Sequence, residues 1–227
     1  MSSVNYATNV SQRTPCVLVL DASASMNALT KSGKRRINLL NEGLVAFHEA
    51  LNADSIALSR VQICVINAGG PTLKPELIMD WTDATDFRPF KLVANNATPL
   101  GAATNLALEV IESQKITLRQ YGISYTRPWL FMLTDGEPTD SLIWDSASDA
   151  ARKAEAAGKL EIFPIGIGAG THSELAKVSI RPPIQMDEVE FQNLFIWLSA
   201  SLSQMSRSVP GESVELPPTD PWASVRL

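Results

Sequence analysis

Short apolar runs alternate along this chain with longer stretches in which apolar residues recur every third or fourth position. That is the pattern of strands interleaved with helices. The run Cys16 to Leu20 predicts a first strand that stops at a carboxylate, and Leu40, Leu44, Phe47 and Leu51 then mark one face of a helix. Val61 to Asn67 predicts a second strand, "AGGP" a turn, and Pro75 to Trp81 a hairpin partner running back beside it. Ala103, Ala107, Val110 and Ile111 lie on one face of a second helix, preceded by the loop-like "NNATPLGAATN". The almost wholly apolar "PWLFML", Pro128 to Leu133, fits a central parallel strand buried on both faces. A helix is predicted around Ile143 to Ala157, and then "LEIFPIGIG", whose Pro164 lacks a ladder donor and argues for a place near the sheet edge. Phe191, Leu194, Leu198, Leu202 and Met205 trace a last amphipathic helix, and the proline-rich "VPGESVELPPTDPWASVRL" cannot continue it.

Alternating strands and helices of this kind predict an α/β fold with a doubly wound, mostly parallel central sheet, one antiparallel strand and helices on both faces. Residues 14–208 are expected to form one domain, with a polar N-terminal arm over 1–13 and an extended tail over 209–227. The 227 residues and 45% hydrophobic content can fill such a core. A net charge of −5 argues against nucleic acid as a partner, because phosphate binding requires a clustered basic surface. No run is long and apolar enough to span a bilayer, and the polar start lacks the apolar core of a signal peptide. The expectation is a cytoplasmic protein with no membrane partner. Cys16 and Cys64 sit in strands among apolar neighbours, as buried, reduced thiols do, and His48 and His172 share no ligand spacing.

Chemistry concentrates at strand ends. "VLVLDASASM" leaves its strand on Asp21, Ser23 and Ser25, and residues two apart on an extended turn project the same way. A D-x-S-x-S string alone is also what an ordinary turn and helix cap look like. Here "TPLG", with Thr98, precedes a helix, and "TDGEPTD", with Asp135, ends the central strand. In doubly wound sheets such ends meet in one crevice. Three hydroxyls and two carboxylates suit a hard divalent cation, Mg²⁺ in the first place with Mn²⁺ or Ca²⁺ as alternatives, rather than zinc. Neutral hydroxyl ligands leave such a cation electron-poor, with an affinity for a carboxylate from outside.

These residues resemble the von Willebrand factor type A domain, whose metal-ion-dependent adhesion site uses D-x-S-x-S, a distant Thr and a distant Asp. The match falls on Asp21, Ser23, Ser25, Thr98 and Asp135. More narrowly, "NEGLVAFHEAL", "TPLGAAT", "RPWLFMLTDGEPTD" and "FPIGIG" are similar to the bacterial tellurite-resistance TerY-like branch. The resemblance implies a non-enzymatic, metal-dependent protein-binding module of stress or conflict systems. Its implied partner presents an Asp or Glu carboxylate, with kinase-like or phosphatase-like proteins as candidates. Bacterial members often have Gly between the two serines where this chain has Ala24, which raises a question of backbone freedom. Asp140 is read as a cap of the helix that follows it.

The competing assignment is a Mg²⁺-dependent phosphatase or phosphotransferase of haloacid-dehalogenase type, with Asp21 as nucleophile. Those enzymes need a second carboxylate two residues on, where this chain has Ser23. No G-x-S-x-G elbow or P-loop string occurs, and "GIGAG" at 166–170 reads as a plain turn. The basic "KSGKRR", Lys31 to Arg36, is expected to be solvated surface that can steer an acidic partner. Trp222 is the tail's candidate docking residue, and the helix over Glu188 to Arg207 is the segment that could respond to site occupancy.

Overall fold

Nine consecutive buried residues, Thr14–Ala22, form β1, the strand on which the sheet is organised. The computed structural model describes residue 6 and residues 10–69, 74–168, 172–208, 214–219 and 223–225. After β1 come a short 3-10 turn, Ala24–Asn27, and helices α1 (Arg36–Asn52) and α2 (Ser55–Arg60). They return the chain to β2 (Val61–Gly69), which pairs with the antiparallel β3 (Glu76–Asp83). Helix α3 (Leu100–Gln120) then leads to β4 (Trp129–Thr134), α4 (Ser141–Ala156), β5 (Glu161–Ile167) and α5 (His172–Val178). Strand β6 (Ile184–Met186), helix α6 (Phe191–Arg207) and the short strand β7 (Ala223–Val225) complete the order.

The seven strands lie in the order β3-β2-β1-β4-β5-β6-β7. The chain moves outward from β1 through β2 to β3 and then comes back to build the other half from β4. Neighbouring connections therefore diverge between β1 and β4, so the crevice lies at their carboxyl ends. The predicted α/β, mostly parallel sheet with an antiparallel β3 is the fold observed, and β7, antiparallel to β6, extends its far edge.

Alternation along the strands divides the core. Cys16, Leu18 and Leu20 face α1 and α6, and Leu40, Leu44, Phe47 and Leu51 meet them as the helical spacing anticipated. Val17 and Val19 face the layer of α3, α4 and α5, where Ala103, Ala107, Ile111 and Trp144 are buried. Both thiols are free and buried, and burial pushes each well above the usual thiol range. His48 bonds its helix neighbour Asn52, and the His172 side chain lies outside the described residues.

One expectation changes, and two segments outside the expected domain bounds are seen to touch it. Strand β5 is interior, flanked by β4 and β6, although β6 pairs only from Ile165 onward, one residue past Pro164. The arm is anchored where it is described: Tyr6 stacks on Tyr121 with ring centroids 4.9 Å apart, and Arg13 is fully buried beside Asp83. The tail touches the domain through Pro217, whose carbonyl accepts from Trp197 Nε1 at 2.7 Å, whereas Trp222 lies outside the described residues. Among the described residues no helix is long and apolar enough to cross a membrane.

Candidate metal-ion site

Strand β1 continues in register to Ala22, so Asp21 is held by the ladder, opposite Ala68, rather than hanging from a loop. Asp21 is wholly buried. Its Oδ1 accepts the Ser23 backbone N–H at 2.7 Å, and its Oδ2 accepts the Thr134 hydroxyl at 2.6 Å. Burial still outweighs these bonds and pushes the carboxyl up to about 6, with the charge of Asp135 adding to the rise.

From Ser23 a chain of oxygen contacts leads on to Asp135. The Ser23 and Ser25 hydroxyls are 2.8 Å apart, and Ser25 Oγ donates to Asp135 Oδ1 at 2.5 Å. Thr98 joins them at Gly136: a β-carbon placed there would stand 3.7 Å from Ser25 Oγ and 3.9 Å from Thr98 Oγ1. The five residues singled out in the sequence therefore meet at one pole of the sheet, between β1 and β4.

The loops that carry them are fastened to one another. Asn95 N–H donates to the Ala22 carbonyl at 2.9 Å, and Ala24 N–H to that of Asn96 at 3.0 Å. Asn96 is the only non-glycine residue with positive φ among those described, a conformation that Asn tolerates. Ala24 avoids that region, so the missing glycine imposes no demand. Thr139 N–H donates to the Thr98 carbonyl at 3.0 Å, and Thr98 N–H to Thr139 Oγ1 at 3.1 Å.

Asp140 acts differently from the expectation. It precedes α4 but makes no side-chain bond to it. Its Oδ1 and Oδ2 instead accept the Gly101 and Ala102 N–H groups at 3.0 and 2.8 Å, capping α3 directly behind Thr98. The two helix starts are close enough that a β-carbon on Gly101 would lie 2.4 Å from the Trp144 backbone nitrogen. Thus "TPLG" and "PTD" are two halves of one junction.

The basic segment is solvated over residues 31–35, as expected, and departs from expectation only at Arg36. Arg36 is only 20% exposed; it donates from Nη1 to Asp135 Oδ2 at 2.7 Å and from Nη2 to Glu188 Oε2 at 2.8 Å. Lys34 pairs with Glu42, Arg35 donates to Asn27, and Lys31 stands 3.7 Å from Asp187. The exposed cations of "KSGKRR" are thus paired only at the surface, and Arg36 alone is drawn into the site. Sequence reasoning missed Arg36, Glu188 and Thr134 as parts of the site. Thr134 left a signal, the polar end of an apolar strand, whereas the pairing of Arg36 with Asp135 across 99 residues left none.

The donor set fits a hard cation. Its contributors are oxygens, close-packed, with two carboxylates and three neutral hydroxyls. Among the described residues no group of three or more His, Cys, Asp or Glu is arranged to hold a metal ion, so the two carboxylates here depend on the hydroxyls to complete a donor set.

The sequence profile of the von Willebrand factor type A domain matches residues 16–195. The chain belongs to that family. Domains of the family are typically protein-interaction modules, and the matched residues include all five of the converging side chains. Similar solved structures include the proximal thread matrix protein 1 of the mussel byssus, 16% identical with a TM-score of 0.54, over 85% of this chain and 48% of that one. The pilus adhesin SpaC of Lactobacillus rhamnosus GG is 12% identical with a TM-score of 0.65, over 85% and 31%. The von Willebrand factor domain of the pilus tip protein Mfa5 of Porphyromonas gingivalis is 11% identical with a TM-score of 0.59, over 84% and 95%. This VWA chain thus spans about half and about a third of the first two, and at these identities the likeness is one of fold. A comparison with curated proteins finds no match.

Proposed function

We propose that this VWA domain is a non-enzymatic, metal-dependent protein-binding module, its cation held by Asp21, Ser23, Ser25, Thr98 and Asp135. The observation that carries the reading is the hydrogen-bonded chain from Asp21 through the Ser23 backbone N–H and the Ser23 and Ser25 hydroxyls to Asp135, with Thr98 beside it. A bound Mg²⁺, or Mn²⁺ or Ca²⁺ in its place, would supply an electrophilic position for an Asp or Glu carboxylate of another protein. Asp21 orients the first loop, the hydroxyls add donors without charge, and Asp135 is held in place by Arg36.

Binding is favoured over phosphoryl chemistry by the residue two places after Asp21. A phosphoryl-transfer enzyme of haloacid-dehalogenase type needs a second carboxylate there, and the position holds Ser23, whose hydroxyl is 2.8 Å from that of Ser25. The motif likeness to the TerY-like branch supports a place in bacterial tellurite or stress resistance, with kinase-like or phosphatase-like proteins as partners. Two free, buried cysteines are compatible with a reducing cytoplasm.

The test is an affinity capture from cell extract with Mg²⁺, with EDTA, and with Asp21→Ala. Loss of the same partner in both of the latter, with the far-UV circular dichroism retained, is the expected result. A partner retained equally in excess EDTA sinks the reading.

A further inference from the structure

Three of the four most exposed large apolar side chains among the described residues stand on segments that adjoin the oxygen site. Among the described residues Leu142 is 92% exposed, Val93 71% and Leu29 68%, and only Val10, at 77%, is comparable. Each is tied to a donor. Leu29 follows the 3-10 turn that contains Ser25 and bridges to Arg35, next to the residue that holds Asp135. Val93 adjoins Ala94, whose carbonyl accepts from Asn27 at the end of that turn. Leu142 lies two residues after Asp140, the cap of α3 behind Thr98.

We propose that Leu29, Val93 and Leu142 form an apolar rim around the site, and that the partner presents one Asp or Glu flanked by large apolar side chains rather than an acidic run. This rests on the metal-dependent reading of the same site. Isolated exposed apolar residues are common on any surface, but three on separate segments, two in loops and Leu142 in the first turn of α4, each beside a residue fastened to the site, suit the anatomy of an interface, in which apolar contacts keep water from a central polar one. The surrounding charge selects against a polyacidic ligand. Glu137 is exposed beside Asp135, Asp187 is half-exposed, and the nearby cations already have carboxylate or amide partners. A second or third partner carboxylate would meet like charge, whereas apolar flanks would cover Leu142 and Val93.

The probe is a random peptide display library panned on the full chain in Mg²⁺ and eluted with EDTA. Manganese binding is measured separately by calorimetry. The expected eluate carries a single Asp or Glu between Leu, Ile, Phe or Met residues. A synthetic copy should lose about tenfold or more in affinity against Leu142→Ser or Val93→Ser, while both variants bind Mn²⁺ as the unmodified chain does. Acidic runs, an empty EDTA eluate, or affinities untouched by both substitutions overturn the rim while Mn²⁺ still binds. Absence of Mn²⁺ binding overturns the parent reading and the rim together.

Discussion

Arg36 holds Asp135. The first residue of α1 places its guanidinium 2.7 Å from a carboxylate whose side chain is fully covered, and the same guanidinium holds Glu188 three residues before α6. One side chain thus ties β1's outgoing helix to the end of β4 and to the approach to α6.

Removing that cation leaves a covered carboxylate alone. Arg36→Ala is expected to cost about 2–3 kcal/mol in urea unfolding, because a partly buried pair broken from one side strands the other charge. Arg36→Lys should recover only part of this, since an ammonium cannot reach two carboxylates with a planar fork. Excess Mg²⁺ is expected to narrow the deficit by giving Asp135 a second cation. An equal deficit with and without Mg²⁺ contradicts that.

Asp21 sets a pH dependence with a defined sign. Its carboxyl is raised from 3.8 to about 6 by burial, so the folded chain binds the proton more tightly than the unfolded one. The metal-free protein therefore loses stability as pH rises from about 4 to about 6, by about 3 kcal/mol at most, and stays at the lower level above. Asp21→Asn removes this term. The difference in Tm between the two proteins without metal should shrink as pH falls from 7 to 5, and Mn²⁺ affinity of the unmodified protein should weaken over the same interval. A constant difference in Tm would show that the Asp21 proton plays no part.

Asp140 is expected to matter for a helix that precedes it by 40 residues in sequence. Asp140→Ala frees the Gly101 and Ala102 N–H groups and should cost about 1–2 kcal/mol, as the loss of an acidic cap does. Thr98 sits directly before those groups, so Mn²⁺ affinity should drop as well, measured by calorimetry. A variant that loses stability but binds Mn²⁺ unchanged would separate the cap from the site.

Gly101 permits the junction of α3 with α4. In Gly101→Ala the new β-carbon would fall 2.4 Å from the Trp144 nitrogen, backbone that cannot rotate away. The helix starts must separate, at about 2 kcal/mol or more, and they carry Thr98 and Asp140 with them. The check is a urea titration beside the neighbouring Ala102→Gly, whose effect should be limited to helix propensity, about 1 kcal/mol.

By itself the sequence determined the alternation of strands and helices, the buried faces of α1 and α6, and the oxygen-bearing residues at the ends of β1 and β4. These are local: periodicity is carried by neighbours three or four positions apart, and a strand that ends on Asp or Thr declares the end of burial. The meeting of Thr98 with Ser25 and Asp135 was also foreseeable, because a doubly wound sheet puts such ends in one crevice. Only the tertiary structure decided which polar groups serve one another there. Arg36 stood in a basic run that looked solvated, and Asp140 stood before α4 as any helix cap would. Which carboxylate a guanidinium meets, and which helix a carboxylate caps, depends on how separate segments pack in space. The same packing left Leu29, Val93 and Leu142 in solvent, which hydropathy alone does not reveal, because burial depends on what lies across from a side chain in space.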